Sequence, residues 1–184
     1  MDIKNNFLKT GAENITGPVS FQPFQNIDAL ELAKLANNIN IASVVRDSFP
    51  SPYTIYDALC WIEFCKDASK VNSFQKAIIY EGQFVGAIGV IRQEDIFRNN
   101  GEIGYWLGEP YWSKGIMSEA VKQMTAWIFE NTTIERLYAG VFSNNKASMR
   151  VLEKAGYDLE AIHKRAIIKE GKTFDEYFFV KFKD

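Results

Sequence analysis

Apolar side chains recur along this chain in two rhythms, and the switches between them mark out its elements. From Val19 to Phe24 (VSFQPF) apolar and polar residues alternate with the period of a strand, and Pro23 suits an edge or a strand end. Asp28 stands where a helix N-cap belongs, ahead of Ala29, Leu32, Leu35 and Ala36 at helical spacing, and the pattern frays at Asn37 and Asn38. RDSFPSPYT at 46–54 predicts a loop, because each proline removes a backbone donor and pushes its predecessor toward extended geometry. Thr54 offers a cap for a second helix, whose face carries Ala58, Trp61, Ile62 and Cys65 and which ends in the polar stretch KDASK.

Two strand-like runs follow, FQKAIIY at 74–80 and QFVGAIGVI at 83–91, joined as a hairpin by Glu81 and Gly82, the latter suited to a positive backbone angle. EIGYWL at 102–107 predicts another strand after the turn residues RNNG, and a helix is expected from about Ser118 to Asn131. RLYAGVF then predicts a strand, NKASMRVLEKAG a helix closed by Gly156, and YDLEAIHKRAII and FDEYFFVKF two final strands. Strands and helices mix without strict βαβ repetition. The expected class is α/β in the α+β sense: a largely antiparallel sheet of about seven strands with helices on both faces.

At 184 residues the chain suits one well-cored domain, with residues 1–17 expected as a flexible or peripheral N-terminal segment. Lys and Arg number 21 against 23 Asp and Glu, so no overall basic field recruits nucleic acid or an anionic membrane. The first twenty residues lack the features of a signal peptide and no run is long enough to span a bilayer, which predicts a cytoplasmic protein. Cys60 and Cys65 do not share a helix face well and are expected as free buried thiols. A lone His163 and the absence of clustered ligand spacing predict no metal site. His163 and the apolar stretch from Trp127 to Phe129 are read as structural.

The stretch YWSKGIMSEAV at 111–121 sets a helix-breaking Gly115 directly before a helix. A tight turn opening a helix exposes unpaired N–H groups at the first turn, where the helix dipole favours negative charge. Gly115 would let a phosphate approach the main chain, with Ser113 and Lys114 adding hydroxyl and charge; the alternative is an ordinary turn before a surface helix. The order of Ser113, Lys114 and Gly115 reverses that of a nucleotide P-loop, and no GxGxxG follows a strand.

Together EIGYWLGEPYWSKGIMSEAV, NNKASMRVLEKAGY and RDSFPSPYT resemble the GNAT acetyltransferase superfamily, and within it the branch of ribosomal-protein N-terminal acetyltransferases (RimJ/RimL type), over about residues 18–182. The resemblance implies a sheet splayed between its fourth and fifth strands and a pyrophosphate of acetyl-CoA held on the backbone of Trp112, Ser113, Lys114, Gly115, Ile116, Met117 and Ser118. Two positions depart from the general pattern, which has Gln or Arg in place of Trp112 and Gly or Ala in place of Met117.

Acetyl transfer to an amine needs an unprotonated nucleophile, a polarised thioester carbonyl and a proton for the departing thiolate. A lysine amine is neutral only about 0.04% of the time at pH 7 and an α-amine about 10 to 17%, so N-terminal acceptors ask less of an enzyme. By the resemblance, Glu102 draws the amine proton through water, the Leu107 N–H polarises the carbonyl, Asn145 contacts pantetheine and Ser148 serves the thiolate. Each has a plainer reading: a solvent-facing strand glutamate, and a capping Asn before a tolerated Ser. Arg46, Phe49 and Tyr53 stand where this branch shapes its acceptor groove, or close a core edge, and Ser51 stands where relatives often carry His. The expectation is an acetyl-CoA-dependent N-acetyltransferase acting by direct attack on a protein N-terminus or small-molecule amine. The alternatives are a non-catalytic acyl-CoA-binding regulator and an enzyme with a longer acyl donor. An unpaired strand edge would suit a homodimer, and no sequence feature demands one.

Overall fold

The computed structural model describes residues 18–67 and 72–184; the expected peripheral segment 1–17 and residues 68–70 of the KDASK helix end lie outside them. A seven-stranded sheet runs in the order β1-β2-β3-β4-β5-β7-β6, with β1 Val19–Gln22, β2 Ser73–Tyr80, β3 Gln83–Arg92, β4 Asn100–Leu107, β5 Arg136–Phe142, β6 Asp158–Lys169 and β7 Lys172–Phe182. Every neighbouring pair is antiparallel except β4 and β5. Helices α1 (Ala29–Ala36), α2 (Ile39–Ala42), α3 (Ile55–Asp67), α4 (Ile116–Asn131) and α5 (Lys146–Lys154) complete the elements used below.

Local chemistry explains most of the boundaries. Asp28 Oδ1 accepts from the N–H groups of Leu30 and Glu31, each at 2.9 Å, which caps α1. Thr54 and Asp57 bond reciprocally at the start of α3 in a capping box. Both tight hairpins turn on a Glu–Gly pair, Glu81–Gly82 (φ 51° and 80°) and Glu170–Gly171 (φ 51° and 72°), the left-handed pair that matches strand twist. β1 stops at Gln22 because Pro23 leads into a single 3-10 turn at Phe24–Asn26. α2 was not expected: Asn38, read as fraying, caps it by accepting from the Asn40 N–H.

Alternation along the strands feeds two cores. Ile78, Val85, Ile88, Val90 and Ile103 pack against Ile116, Ala120, Val121, Met124 and Ile128 of α4 on one face. Ala77, Ala87 and Trp106 point to the other face, under α1 and α3, with Phe24, Leu32, Ala58 and Phe84. Cys65 is half-buried in that second core, whereas Cys60 is exposed, which corrects the expectation of two buried thiols; the two are free. The helix turns Cys60 outward because Ala58, Trp61, Ile62 and Cys65 form the inward stripe. Among the described residues no helix is long and apolar enough to cross a membrane.

The feature that positions the site is the parallel seam. β4 and β5 pair only from Asn100↔Arg136 to Glu102↔Tyr138, yet β4 runs on to Leu107 and β5 to Phe142. RNNG, expected as a turn, gives its last two residues to this seam, so β4 begins at Asn100 rather than Glu102. Beyond Glu102 the strands diverge and leave the splay that the family likeness implied.

Candidate active site

The splay exposes backbone. Gly108 N–H donates to Val85 O at 2.8 Å and Gln93 N–H to Asn100 O at 2.9 Å, which fixes the alternation of the β3–β4 ladder. Trp106, Gly104 and Glu102 therefore exchange bonds with β3, while Tyr105 and Leu107 turn their N–H and C=O groups toward the gap. The Leu107 carbonyl is taken by the Trp112 indole N–H at 2.7 Å. Its N–H, the candidate carbonyl-polarising donor, faces the opening.

At one end of the gap the loop 112–115 leads into α4. Ser113 (φ 62°) and Gly115 (φ 79°) are both left-handed, and Gly115 is the N-cap of α4, without a side-chain cap. The backbone angle thus favours Gly115, and the space beside it is open: a Cβ there would meet nothing within 4 Å. That conformation starts α4 at Ile116, two residues before the expected Ser118. The N–H groups of the first turn are left without intrahelical partners and face solvent-accessible space, an arrangement suited to a phosphate. The Ile116 and Met117 side chains are buried in the core, so only their backbone can serve a ligand, while Ser113 and Lys114 are exposed.

Across the gap, Asn145 caps α5 by accepting from the Ser148 N–H at 3.1 Å, so the plain capping reading holds for its side-chain oxygen. Ser148 Oγ lies 2.8 Å from the Tyr105 hydroxyl, a contact that sequence reasoning missed. Burial pushes the Tyr105 phenol above the usual tyrosine value, with the Ser148 hydrogen bond acting the other way. The pair therefore remains a neutral hydroxyl chain reaching from β4 to the first turn of α5. Strand alternation alone would place Tyr105 on the same face as Ile103 and Leu107; only the tertiary approach of α5 reveals its partner.

At the other end the Arg46 guanidinium forms an ion pair with Glu102. The next residue, Asp47, accepts from Lys169 at 2.7 Å, so adjacent loop residues are tied to strands on both sides of the splay. Phe49 packs on Tyr53 at 5.0 Å and edge to face on Trp106 at 5.9 Å. Tyr53 is mostly buried, its phenol pushed up to about 12 by burial, and belongs to the second core although it also borders the cavity. All the candidate site residues, from Arg46 through Glu102 and the 112–118 loop to Ser148, line one cavity of about 1280 Å³. Such a volume holds a large elongated ligand together with a second reactant.

Comparison with known proteins now names the architecture. The acetyltransferase (GNAT) domain model matches residues 19–158. The chain belongs to the GNAT acetyltransferase family. It is 43% identical over 65 residues to the probable N-acetyltransferase YjcK of Bacillus subtilis, a match covering 35% of this chain and 36% of that relative, so the shared stretch spans about a third of the relative's length. In structure it resembles the microcin C7 self-immunity acetyltransferase MccE, solved with acetyl-CoA and AMP, at TM-score 0.80 and 24% identity over 96% of this chain and 98% of that one. It also resembles RimL, a ribosomal L7/L12 α-N-protein acetyltransferase solved with coenzyme A, at TM-score 0.79 and 17% identity over 92% of this chain and 96% of that one. These two likenesses show the fold.

Proposed function

We propose that this GNAT chain is an acetyl-CoA-dependent N-acetyltransferase that passes the acetyl group directly to a primary amine. The observation that carries the reading is the left-handed Ser113–Gly115 turn, which opens the uncapped start of α4 into the same cavity as the β4–β5 gap. That turn and first helical turn would hold the donor's pyrophosphate through N–H groups, with pantetheine lying along the gap between Leu107 and Asn145.

In the reaction the amine nitrogen bonds to the thioester carbonyl carbon, the Leu107 N–H stabilises the oxyanion, and the carbon–sulfur bond breaks to give amide and thiol. The amine's proton leaves toward Glu102 through water and passes to solvent, while the departing thiolate, held by a hydrogen bond from Ser148, whose hydroxyl adjoins Tyr105, takes its proton from solvent. Arg46, Phe49 and Tyr53 stand on the acceptor side. The likeness to RimL, an α-N-protein acetyltransferase of ribosomal L7/L12, supports a peptide amine as substrate.

The test follows thiol release and acceptor mass together, for wild type and Glu102→Gln. Amine-dependent thiol release with an acetylated product, reduced in the variant, is the expected result. The Arg46–Glu102 ion pair favours a second reading, a non-catalytic acyl-CoA-binding protein, because it already occupies the candidate base. Slow hydrolysis alone, unchanged by Glu102→Gln or Ser148→Ala, would establish that second reading.

A further inference from the structure

We propose that the acceptor amine carries a bulky uncharged group, aliphatic or aromatic, on the carbon beside its nitrogen, and that this group lies in a trough above Gly104. The inference rests on the acetyltransferase reading and deepens it by naming the acceptor class.

On the sheet face opposite α4, the register sets Gln75, Gly89 and Gly104 side by side across β2, β3 and β4. The row on one side is Ala77, Ala87 and Trp106, and on the other Ser73, Ile91 and Glu102. Gly89 is explained by internal packing: a Cβ there would sit 1.9 Å from Gln75 Oε1, whose side chain lies across it. Gly104 has no such explanation. It is exposed in the middle of a strand, its backbone angle is not left-handed, and a Cβ there would meet nothing within 4 Å. A glycine in mid-strand weakens the strand through entropy and lost packing, so one that is neither crowded nor specially twisted marks close approach by a ligand.

The walls of the trough decide what that ligand offers. Trp106 and Phe49 stand at one end, and both border the cavity, as does Ile41 of α2. Glu102, with Arg46, stands at the other end, two residues along the same face, or about 7 Å away. An amine held near that carboxylate through water therefore places its own substituent over Gly104 and against the two aromatic rings. Against the Trp106 and Phe49 rings a second ammonium or a carboxylate would lose water, and the polar groups beside the trough are already engaged, Gln75 with Ser73 and Arg46 with Glu102, which disfavours polyamines and acidic termini.

The test offers acetyl-CoA with peptides differing only in a first residue of Phe, Leu, Ser or Asp, and with spermidine, to wild type, Gly104→Ala and Gly104→Val. Because the space above Gly104 is open and its backbone angle ordinary, both variants should fold, melt no lower than wild type and keep their stabilisation by acetyl-CoA. The wild type should acetylate the Phe and Leu peptides with kcat/KM at least about tenfold above the Ser and Asp peptides. Gly104→Val should erase most of that preference and Gly104→Ala less. Equal rates across the series, a preference for Asp or spermidine, or a preference that survives Gly104→Val overturns the proposal. So does absence of turnover with every acceptor in protein that acetyl-CoA still stabilises. Lack of stabilisation of the wild type by acetyl-CoA would instead overturn the donor reading and remove this proposal with it.

Discussion

The two ends of the cavity are built from different material. The donor end is main chain: a left-handed turn at Ser113 and Gly115, the free amides of α4, and the Leu107 N–H facing the splay. The acceptor end is side chain: the Arg46–Glu102 pair, Asp47 on Lys169, and the Phe49–Trp106 contact. Backbone donors bind any phosphate-bearing group of the right shape and are indifferent to most substitutions nearby, whereas side chains set what else may enter. One end therefore identifies the family and the other carries what is particular to this chain.

Breaking the donor end alone has the largest expected effect. Gly115→Glu forces a side chain onto a left-handed residue and a carboxylate into the cradle, and should lower acetyl-CoA affinity by about a hundredfold or more while the protein still melts cooperatively. Glu102→Gln should do the reverse, leaving acetyl-CoA stabilisation intact and cutting kcat by about a hundredfold, as measured by thiol release. Unchanged kcat would place the base elsewhere and leave the Arg46 pair as a clasp on the loop.

The hydroxyl chain lies between the ends. Ser148→Ala should lower kcat about tenfold with acetyl-CoA KM little changed, and Tyr105→Phe by a smaller factor, read from initial rates. The smallest effect is on stability at the acceptor end. Burial pushes the Tyr53 phenol up to about 12 in the folded protein, above the ordinary tyrosine value of about 10, so between those values the unfolded state loses its proton first and stability falls as pH rises. Tyr53→Phe should remove on the order of 1 kcal/mol of that alkaline loss, seen by melting from pH 9 to 12. Cys65, also raised to about 12, and the buried Tyr105 and Tyr157 keep part of the slope in the variant.

The same contrast explains what could be read in advance. Six of the seven strands and the caps at Asp28 and Thr54 follow from periodicity and short-range chemistry close to where they occur, and β1 differs only in stopping before Pro23. The 111–121 stretch is informative because the turn it forms is a matter of local backbone geometry, although the sequence does not give the left-handed angle at Gly115. Tyr105, the Asp47–Lys169 tie and the open face of Gly104 were not legible. Each depends on which strand lies beside which and on where a distant helix or loop comes to rest, 43 residues away in sequence for Tyr105 and Ser148 and 122 for Lys169 and Asp47. Cys60 differs from its expectation because helix spacing and redox chemistry say that a thiol is free and not which way it faces, and the stripe of Ala58, Trp61, Ile62 and Cys65 turns it outward.

The central claim is that the backbone cradle at Gly115 holds acetyl-CoA. It is tested most directly by the melting temperature of wild type and Gly115→Glu, each with and without acetyl-CoA and beside ATP and NAD. At about one hundred times its dissociation constant a ligand stabilises the folded state by about 2.7 kcal/mol. The account predicts a rise for wild type with acetyl-CoA alone, and none for the variant. An equal rise in both proteins, or no rise in folded wild type freed of bound CoA, would contradict it.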